Sequence, residues 1–174
     1  MKIQTRLATP ADVPIIALLG RITFGETFGH LFHDQQDLLD YFDDTFSVEK
    51  IEASLSKSTN VFWISFVNRL PVAYAKLKLD SPTSFIASDN ICQLQKIYVL
   101  KDFLSLKIGY QLQHILIEKA KELDYDHIWL SVLKSNERAI RFYKKFNFNP
   151  IGTHDFTIGK QTFNFFALSL QLNA

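Results

Sequence analysis

The sequence predicts an α/β (α+β) fold in which helices flank a mixed, mostly antiparallel sheet. The predicted order of elements is β-α-α-β-β-β-α-β-α-β-β. A strand–helix–strand crossover over residues 91–133 predicts one parallel pair of strands with a right-handed connection. Turns at residues 68–71 and 159–160 predict hairpins, whose strands pair antiparallel. Such a sheet is buried when helices cover both of its faces.

The N-terminal third predicts one strand and two helices. Residues 3–7 alternate in the manner of a short strand. Thr9 as N-cap and Pro10 in the first turn predict a helix that runs to about residue 27. Ser47 predicts the N-cap of a second helix that ends near residue 57. Residues 28–45 are acidic and less regular, and no element is predicted there.

The remaining elements follow from apolar runs and from helical spacing of apolar side chains. Pro and Ser residues between positions 80 and 89 predict a loop. The later strands are predicted at 61–67, 72–79, 91–100, 127–133, 148–154 and 162–170, and the later helices at 108–123 and 136–146.

Composition limits the class of protein. The chain has 174 residues and is 47% hydrophobic, which predicts a single domain, residues 1–174, with a full core. A net charge of +1 gives no argument for a nucleic-acid partner. Cys92 is the sole cysteine, and no apolar run reaches the ~18 residues of a membrane span. With a polar N-terminus, these features predict a cytoplasmic protein without a membrane partner.

A strand–turn–helix junction predicts a phosphate site. The apolar strand pattern Leu94 to Leu100 ends in a short turn, and an amphipathic helix begins near Ile108. Backbone N–H groups at the N-terminus of a helix, together with the helix dipole, favour an anion. The junction therefore predicts that the backbone binds a phosphate group.

The stretch from Asn136 to Phe148 reads Asn-x-x-Ala-x-x-Phe-Tyr-Lys-Lys-x-x-Phe. With the order of elements and the turn into Gly109, it resembles the GCN5-related N-acetyltransferases (GNAT) over essentially the whole chain. Residues 23–28, 41–46 and 128–130 look most like bacterial spermidine/spermine N-acetyltransferases of the Pai type.

This resemblance implies an enzyme that uses acetyl-CoA as cosubstrate. The acetyl group would pass to a primary amine, a small molecule with a polyamine among the candidates, by direct attack in a ternary complex. Two alternatives stay open: acetylation of a protein N-terminus or lysine, and a non-catalytic acyl-CoA-binding module.

The pyrophosphate loop departs from the family pattern Gln/Arg-x-x-Gly-x-Gly/Ala. Leu104 and Lys107 replace two of its signature residues, and Gly109 keeps the third. Because the backbone does the binding in this family, the loop is expected to tolerate other side chains if φ stays negative. The ammonium of Lys107 could itself meet a phosphate.

The resemblance also implies the cofactor-binding residues. Asn136 matches a cofactor-contacting Asn and is at the same time a plausible helix N-cap. The pantetheine arm would lie along the backbone of Ile97, Tyr98 and Val99, and the pyrophosphate along Leu104, Ser105, Leu106, Lys107, Ile108, Gly109 and Tyr110. Cations for the 3′-phosphate are Lys101, Lys107, Lys144 and Lys145, each of which could instead be a solvated surface residue.

Tyr143 matches the tyrosine that protonates the departing thiolate in this family. A phenol with an ordinary pKa near 10 is protonated at neutral pH and can donate. The base is less clear, since Gln95 stands where many members carry Glu and an amide cannot take a proton. Glu26 is the first candidate; His30, Tyr98 and a water chain are the others.

The acceptor wall is expected in the N-terminal third. Residues 26–52 carry eight acidic side chains against one Lys, which would favour a polycation, although a solvated acidic face explains them equally well. His30 and His33 have i, i+3 spacing without a third ligand, so no metal is predicted. The identity of the amine, the base and the choice between monomer and homodimer stay open.

Overall fold

The structure, a computed structural model, describes residues 1–173. Its sheet has seven strands in the order β1-β2-β3-β4-β5-β7-β6. The strands are β1 Ile3–Leu7, β2 Asn60–Val67, β3 Leu70–Lys78, β4 Ile91–Val99, β5 His127–Leu133, β6 Asn149–Ile158 and β7 Gln161–Gln171; the helices are α1 Val13–Phe28, α2 Gln35–Phe46, α3 Val48–Leu55, α4 Ile108–Glu122 and α5 Glu137–Lys144.

The sheet confirms the predicted fold class. Strands β4 and β5 pair parallel, as the crossover through α4 predicted, and every other neighbouring pair is antiparallel. The first hairpin turns through Asn68 and Arg69, both with positive φ (49° and 70°). Two central residues with positive φ make a turn whose twist matches that of the strands.

One helix was missed. Residues 28–45, interpreted as irregular, contain most of α2, so the structure has one more helix than the predicted order. Asp34 accepts a hydrogen bond from the Gln36 N–H at its N-terminus, and Leu38 and Phe46 are buried. The apolar side chains do recur at helical spacing here, but the surrounding acidic residues hid that period.

Side chains from the two faces of the sheet form two separate cores. Helices α4 and α5 cover one face, where Ile97 and Val99 of β4 pack. Helices α1 to α3 cover the other, where Tyr98 packs with Tyr74 of β3. Alternate residues of β4 therefore serve opposite faces, as strand geometry requires.

Strand β4 carries a bulge in its middle. Lys96 lies opposite Lys76 of β3, but the next pair joins Leu94 to Leu77, so Gln95 is the extra residue. A bulge bends its strand and increases the local twist. Beyond it, β4 leaves β5: the parallel pairing covers only Ile91 to Gln93. Residues 94–99 thus have no β5 partner on that side.

Within residues 1–173, no helix is long and apolar enough to cross a bilayer.

Gly20 and Gly25 of α1 differ in how closely they pack against α2. A Cβ at Gly20 would overlap the ring of Phe46, whereas one at Gly25 would lie at an ordinary 3.5 Å from Phe42. Phe46 is fully buried, so its ring has little room to move.

We expect Gly20→Ala to lower the free energy of unfolding by about 1–3 kcal/mol, because overpacking a dense core displaces side chains. The matched control, Gly25→Ala in the same helix, should be neutral or raise it by about 0.5–1 kcal/mol through helix propensity. Urea denaturation measures both. Equal effects of the two substitutions would contradict this packing.

Candidate active site

A cavity of about 1510 Å³ opens where β4 and β5 separate. Its walls come from β4, from parts of β2 and β3, from the ends of β5, β6 and β7, from the N-terminal part of α4, from α5, and from α1 to α3. The described lining residues predicted from sequence are Glu26, Ile97, Tyr98, Val99, Leu104, Lys107, Gly109, Tyr110, Asn136, Tyr143 and Lys145.

The N-terminus of α4 opens into this cavity. A 3-10 helix over Lys101–Leu106 leads into Lys107, which is the residue before the first turn of α4. Lys107 has φ 57° and ψ 24°, so the condition of a negative φ, under which the loop was expected to tolerate other side chains, is not met at this residue. A left-handed lysine takes the conformation that glycine would favour, and it turns the chain into the helix.

Three predicted loop residues do not line the cavity. Ile108 is fully buried and packs in the core under α4 and α5, while the side chains of Ser105 and Leu106 lie outside the cavity wall. Their assignment concerns backbone groups only, and it stays a prediction.

The free edge of β4 forms the middle of the cavity. Ile97, Tyr98 and Val99 line it, and β5 offers no hydrogen-bond partner at this level. Buried backbone groups without a partner are costly, so this edge is suited to an extended polar ligand.

Asn136 and Tyr143 lie at the two ends of α5. The Asn136 Oδ1 accepts a hydrogen bond from the Ala139 N–H at 3.2 Å, which confirms its N-cap position. Tyr143 is half-buried and lines the cavity, with its ring 5.8 Å from that of Phe148. Burial raises the pKa of the Tyr143 phenol, so it holds its proton at neutral pH.

Of the candidate bases, Glu26 and Tyr98 line the cavity and His30 does not. Glu26 lines the cavity, and its Oε2 accepts a hydrogen bond from the Lys101 N–H at 3.0 Å. Tyr98 also lines it, but burial, then the neighbouring Tyr41 and Tyr143, raise the pKa of its phenol, which disfavours a role as base. His30 lies at a separate, smaller pocket beside His33.

The sequence did not indicate His154 as a residue of the cavity. His154 of β6 lines the cavity, and its Nε2 lies 2.7 Å from the Ser131 Oγ of β5. Its ring stacks on Phe165 at 5.3 Å. No local signal pointed to this pair, because the two residues meet only through the β5-β7-β6 strand order.

The acidic residues of the N-terminal third lie mostly elsewhere. Only Glu26 and Asp44 of that set line the cavity within the described chain. Asp34 and Asp37 bind Lys160, and Asp43 binds Arg21. An acidic acceptor wall is therefore not supported.

The cavity is basic instead. On the face covered by α1 to α3 lie five lysines that we call the lysine arm: Lys50, Lys57, Lys76, Lys78 and Lys96. At the other end are Lys101, Lys107, Arg138 and Lys145, whereas Lys144 lies outside. Residues 1–173 contain no cluster of three His, Cys, Asp or Glu side chains suited to a metal.

Comparisons with known proteins agree with this geometry. A profile of the Acetyltransferase (GNAT) family matches residues 26–148. An uncharacterized N-acetyltransferase of Lactobacillus delbrueckii subsp. lactis is 26% identical over 148 residues, 85% of each chain.

Two solved structures share the fold. The PaiA N-acetyltransferase of Thermoplasma acidophilum, in complex with coenzyme A, has a TM-score of 0.77 at 19% identity and covers 98% of this chain and 99% of its own. The ribosomal-protein-S18-alanine N-acetyltransferase of Escherichia coli has a TM-score of 0.73 at 15% identity, covering 99% and 96%.

Together with a mixed sheet that parts at β4 and β5 over a helix N-terminus, the family match places the chain among the acetyl-CoA-dependent acyltransferases. The chain belongs to the Acetyltransferase (GNAT) family and is an N-acetyltransferase.

The left-handed Lys107 yields a test of the loop. We expect Lys107→Gly to raise the free energy of unfolding by about 0.5–1 kcal/mol, because glycine adopts positive φ without strain. Glu118→Gly, at an exposed position inside α4, is the control and should lower it by about 1 kcal/mol. Thermal and urea unfolding of both variants decide the matter; a loss of stability in both would argue against a left-handed residue 107.

Proposed function

We propose that this protein transfers the acetyl group of acetyl-CoA to the primary amine of a small molecule by direct attack in a ternary complex. The single observation that carries the proposal is that one cavity joins the N-terminus of α4, the free edge of β4 and the phenol of Tyr143. A place in the cytoplasm is part of the same proposal.

The residues present suit acetyl-CoA as substrate. Backbone N–H groups of residues 104–110 and the dipole of α4 would hold the pyrophosphate. Lys101, Lys107 and Lys145 are cations within reach of its phosphates. The unpaired edge of β4 at residues 97–99 would bind the pantetheine amides as an added strand does. The relative from Thermoplasma acidophilum was solved with coenzyme A, which supports this assignment.

The thioester carbonyl needs a donor where charge develops. A backbone N–H of residues 97–99 would supply it, and β4 is held rigidly between β3 and the core. Removing one such donor from an enzyme typically costs about 10²–10³ in rate.

Tyr143 would protonate the departing thiolate. Its raised pKa ensures that the proton is present before the reaction. Burial raises the free energy of a phenolate, and it raises that of a bare thiolate in the same place. Protonation of the thiolate by Tyr143 removes the charge that has just formed there. The raised pKa therefore does not exclude donation.

The amine must lose a proton before or as it attacks. We propose Glu26 as the base. Its carboxylate lines the cavity and accepts a hydrogen bond from the Lys101 N–H, so it lies beside the end of β4. The His154–Ser131 pair is the alternative that the structure adds.

The second candidate keeps the enzyme and replaces the small molecule by a protein N-terminus or lysine, since the fold is shared with the ribosomal-protein-S18-alanine N-acetyltransferase of Escherichia coli. Following thiol release with acetyl-CoA and a panel of small amines and basic peptides separates the two. Turnover of a small amine supports the proposal; thiol release with peptides alone would overturn it in favour of a protein acceptor.

We expect Tyr143→Phe to lower kcat by about 10²–10⁴, because a positioned general acid contributes that much. The CoA dissociation constant should stay within about twofold. Tyr125→Phe is the control: Tyr125 bonds Asp80 away from the cavity, so activity per folded molecule should be unchanged. Full activity of Tyr143→Phe would remove the assignment of the acid.

Glu26→Gln and His154→Gln distinguish the two bases. The variant that loses the base should lose the low-pH limb of the kcat/KM profile, because an amide carries no proton-accepting group in that range. We expect this loss for Glu26→Gln and an intact limb for His154→Gln. The opposite pattern would transfer the role to His154, and two intact limbs would leave a water chain as the path.

A further inference from the structure

The lysine arm places cations where the acceptor is expected to bind. Lys76 of β3 and Lys96 of β4 are direct cross-strand neighbours, and both line the cavity. Lys76 is buried and Lys96 is half-buried. Like charges opposite each other destabilise a sheet unless something separates or neutralises them.

Neither ammonium has a carboxylate partner. No ion pair of the described residues includes Lys76 or Lys96; the acidic side chains of this face pair with Lys160 and Arg21 instead. Of the two described acidic residues that line the cavity, Glu26 accepts a hydrogen bond from the Lys101 N–H, and Asp44 forms no ion pair with a lysine of the arm. Buried charges in proteins are normally paired, so an unpaired pair inside a cavity indicates that the partner is a ligand.

Aromatic rings stabilise these two ammonium groups only in part. Lys76 Nζ lies 5.4 Å from the centroid of the Phe62 ring, and Lys96 Nζ lies 4.8 Å from that of Phe46 and 5.5 Å from that of Tyr98. A ring face returns less than the hydration that a buried ammonium loses. Burial, with repulsion from neighbouring lysines, lowers the pKa of both to about 8. An anion beside them would reverse that penalty.

The arm also lies on the acceptor side of the reaction centre. Lys96 belongs to the bulged part of β4, one residue from Ile97 at the free edge. Its side chain shares the face of Tyr98, opposite to the face on which Ile97 and Val99 pack toward α4. The phosphate site at the N-terminus of α4 therefore has its own cations, and the lysine arm is available to the second substrate.

We propose that the acceptor amine carries an anionic group, a carboxylate or a phosphate, and that Lys76 and Lys96 bind it. This inference rests on the proposed acetyl transfer, because that reaction supplies the acceptor that the lysine arm would bind. The acceptor is then not a polycation, since the end remote from its reacting amine is negatively charged. Phe46, Phe62 and Tyr98 would enclose the apolar part of such a molecule.

Paired acceptors test the proposal. One pair is 5-aminopentanoate with 1,5-diaminopentane, and the other is phosphoethanolamine with ethanolamine; within each pair only the group remote from the reacting amine differs. Amino acids and an amino-sugar phosphate extend the carboxylate and phosphate arms. We expect kcat/KM for at least one anionic acceptor to exceed that of its partner by about tenfold or more.

Lys96→Met and Lys76→Met should abolish this preference, mainly through KM, while CoA affinity stays unchanged. Methionine keeps the length and packing over the rings, and it removes a desolvated charge, so both variants should fold. Lys121→Gln, an exposed lysine paired with Glu118, is the control of equal charge change and should keep the preference. A preference for diamines, or one that survives both methionine variants, would overturn the proposal.

Lysine labelling tests the site without turnover. Reductive methylation read by mass spectrometry should slow at Lys76 and Lys96 by about threefold or more in inorganic phosphate or glutarate, against chloride of equal ionic strength, because a bound anion occupies the amine. Lys121 should be unaffected. Protection without acetyl transfer would uphold the anion site and reject the proposed function. Acetyl transfer without protection or anionic preference would uphold the proposed function and reject the anion site.

Discussion

Strands β4 and β5 pair over Ile91 to Gln93 and then separate, and the parts of the site depend on that separation. The bulge at Gln95 bends β4 away, which leaves the backbone of residues 94–99 unpaired on one side. Backbone N–H and C=O groups that are buried without a partner cost free energy. The gap therefore favours a ligand whose polar groups replace those of the missing strand. The helix N-terminus and α5 meet at the same gap, so binding and chemistry share one opening.

The distribution of charge distinguishes the cavity from the chain as a whole. The chain is nearly neutral, with a net charge of +1, yet the cavity carries nine basic side chains against two acidic ones among its described lining. Asp34 and Asp37, at the start of α2, bind Lys160 at the β6–β7 turn instead of lining the cavity. These bonds tie α2 to the end of the sheet and so use the acidic residues for structure rather than for recognition.

Local signals were sufficient for most of the fold. The N-caps at Ser47 and Asn136, the turn at 159–160 and the crossover over 91–133 are properties of short segments, and the structure contains all of them. The turn predicted at 68–71 is present but shorter, because β3 already begins at Leu70. Helix α2 was missed because its apolar stripe is narrow and set among acidic residues. The positive φ of Lys107 could not be predicted either, since residues other than glycine rarely adopt it and no local pattern marks this position.

The sequence by itself determined the family, the fold class and the residues of α5, since the Asn136 to Phe148 pattern is one continuous segment made of α5, its N-cap and the turn that follows it. The tertiary structure decided which charges meet. Lys76 and Lys96 are distant in sequence and become neighbours through strand register, and Ser131 meets His154 through strand order. Register and order depend on packing of the whole sheet, which no local period encodes.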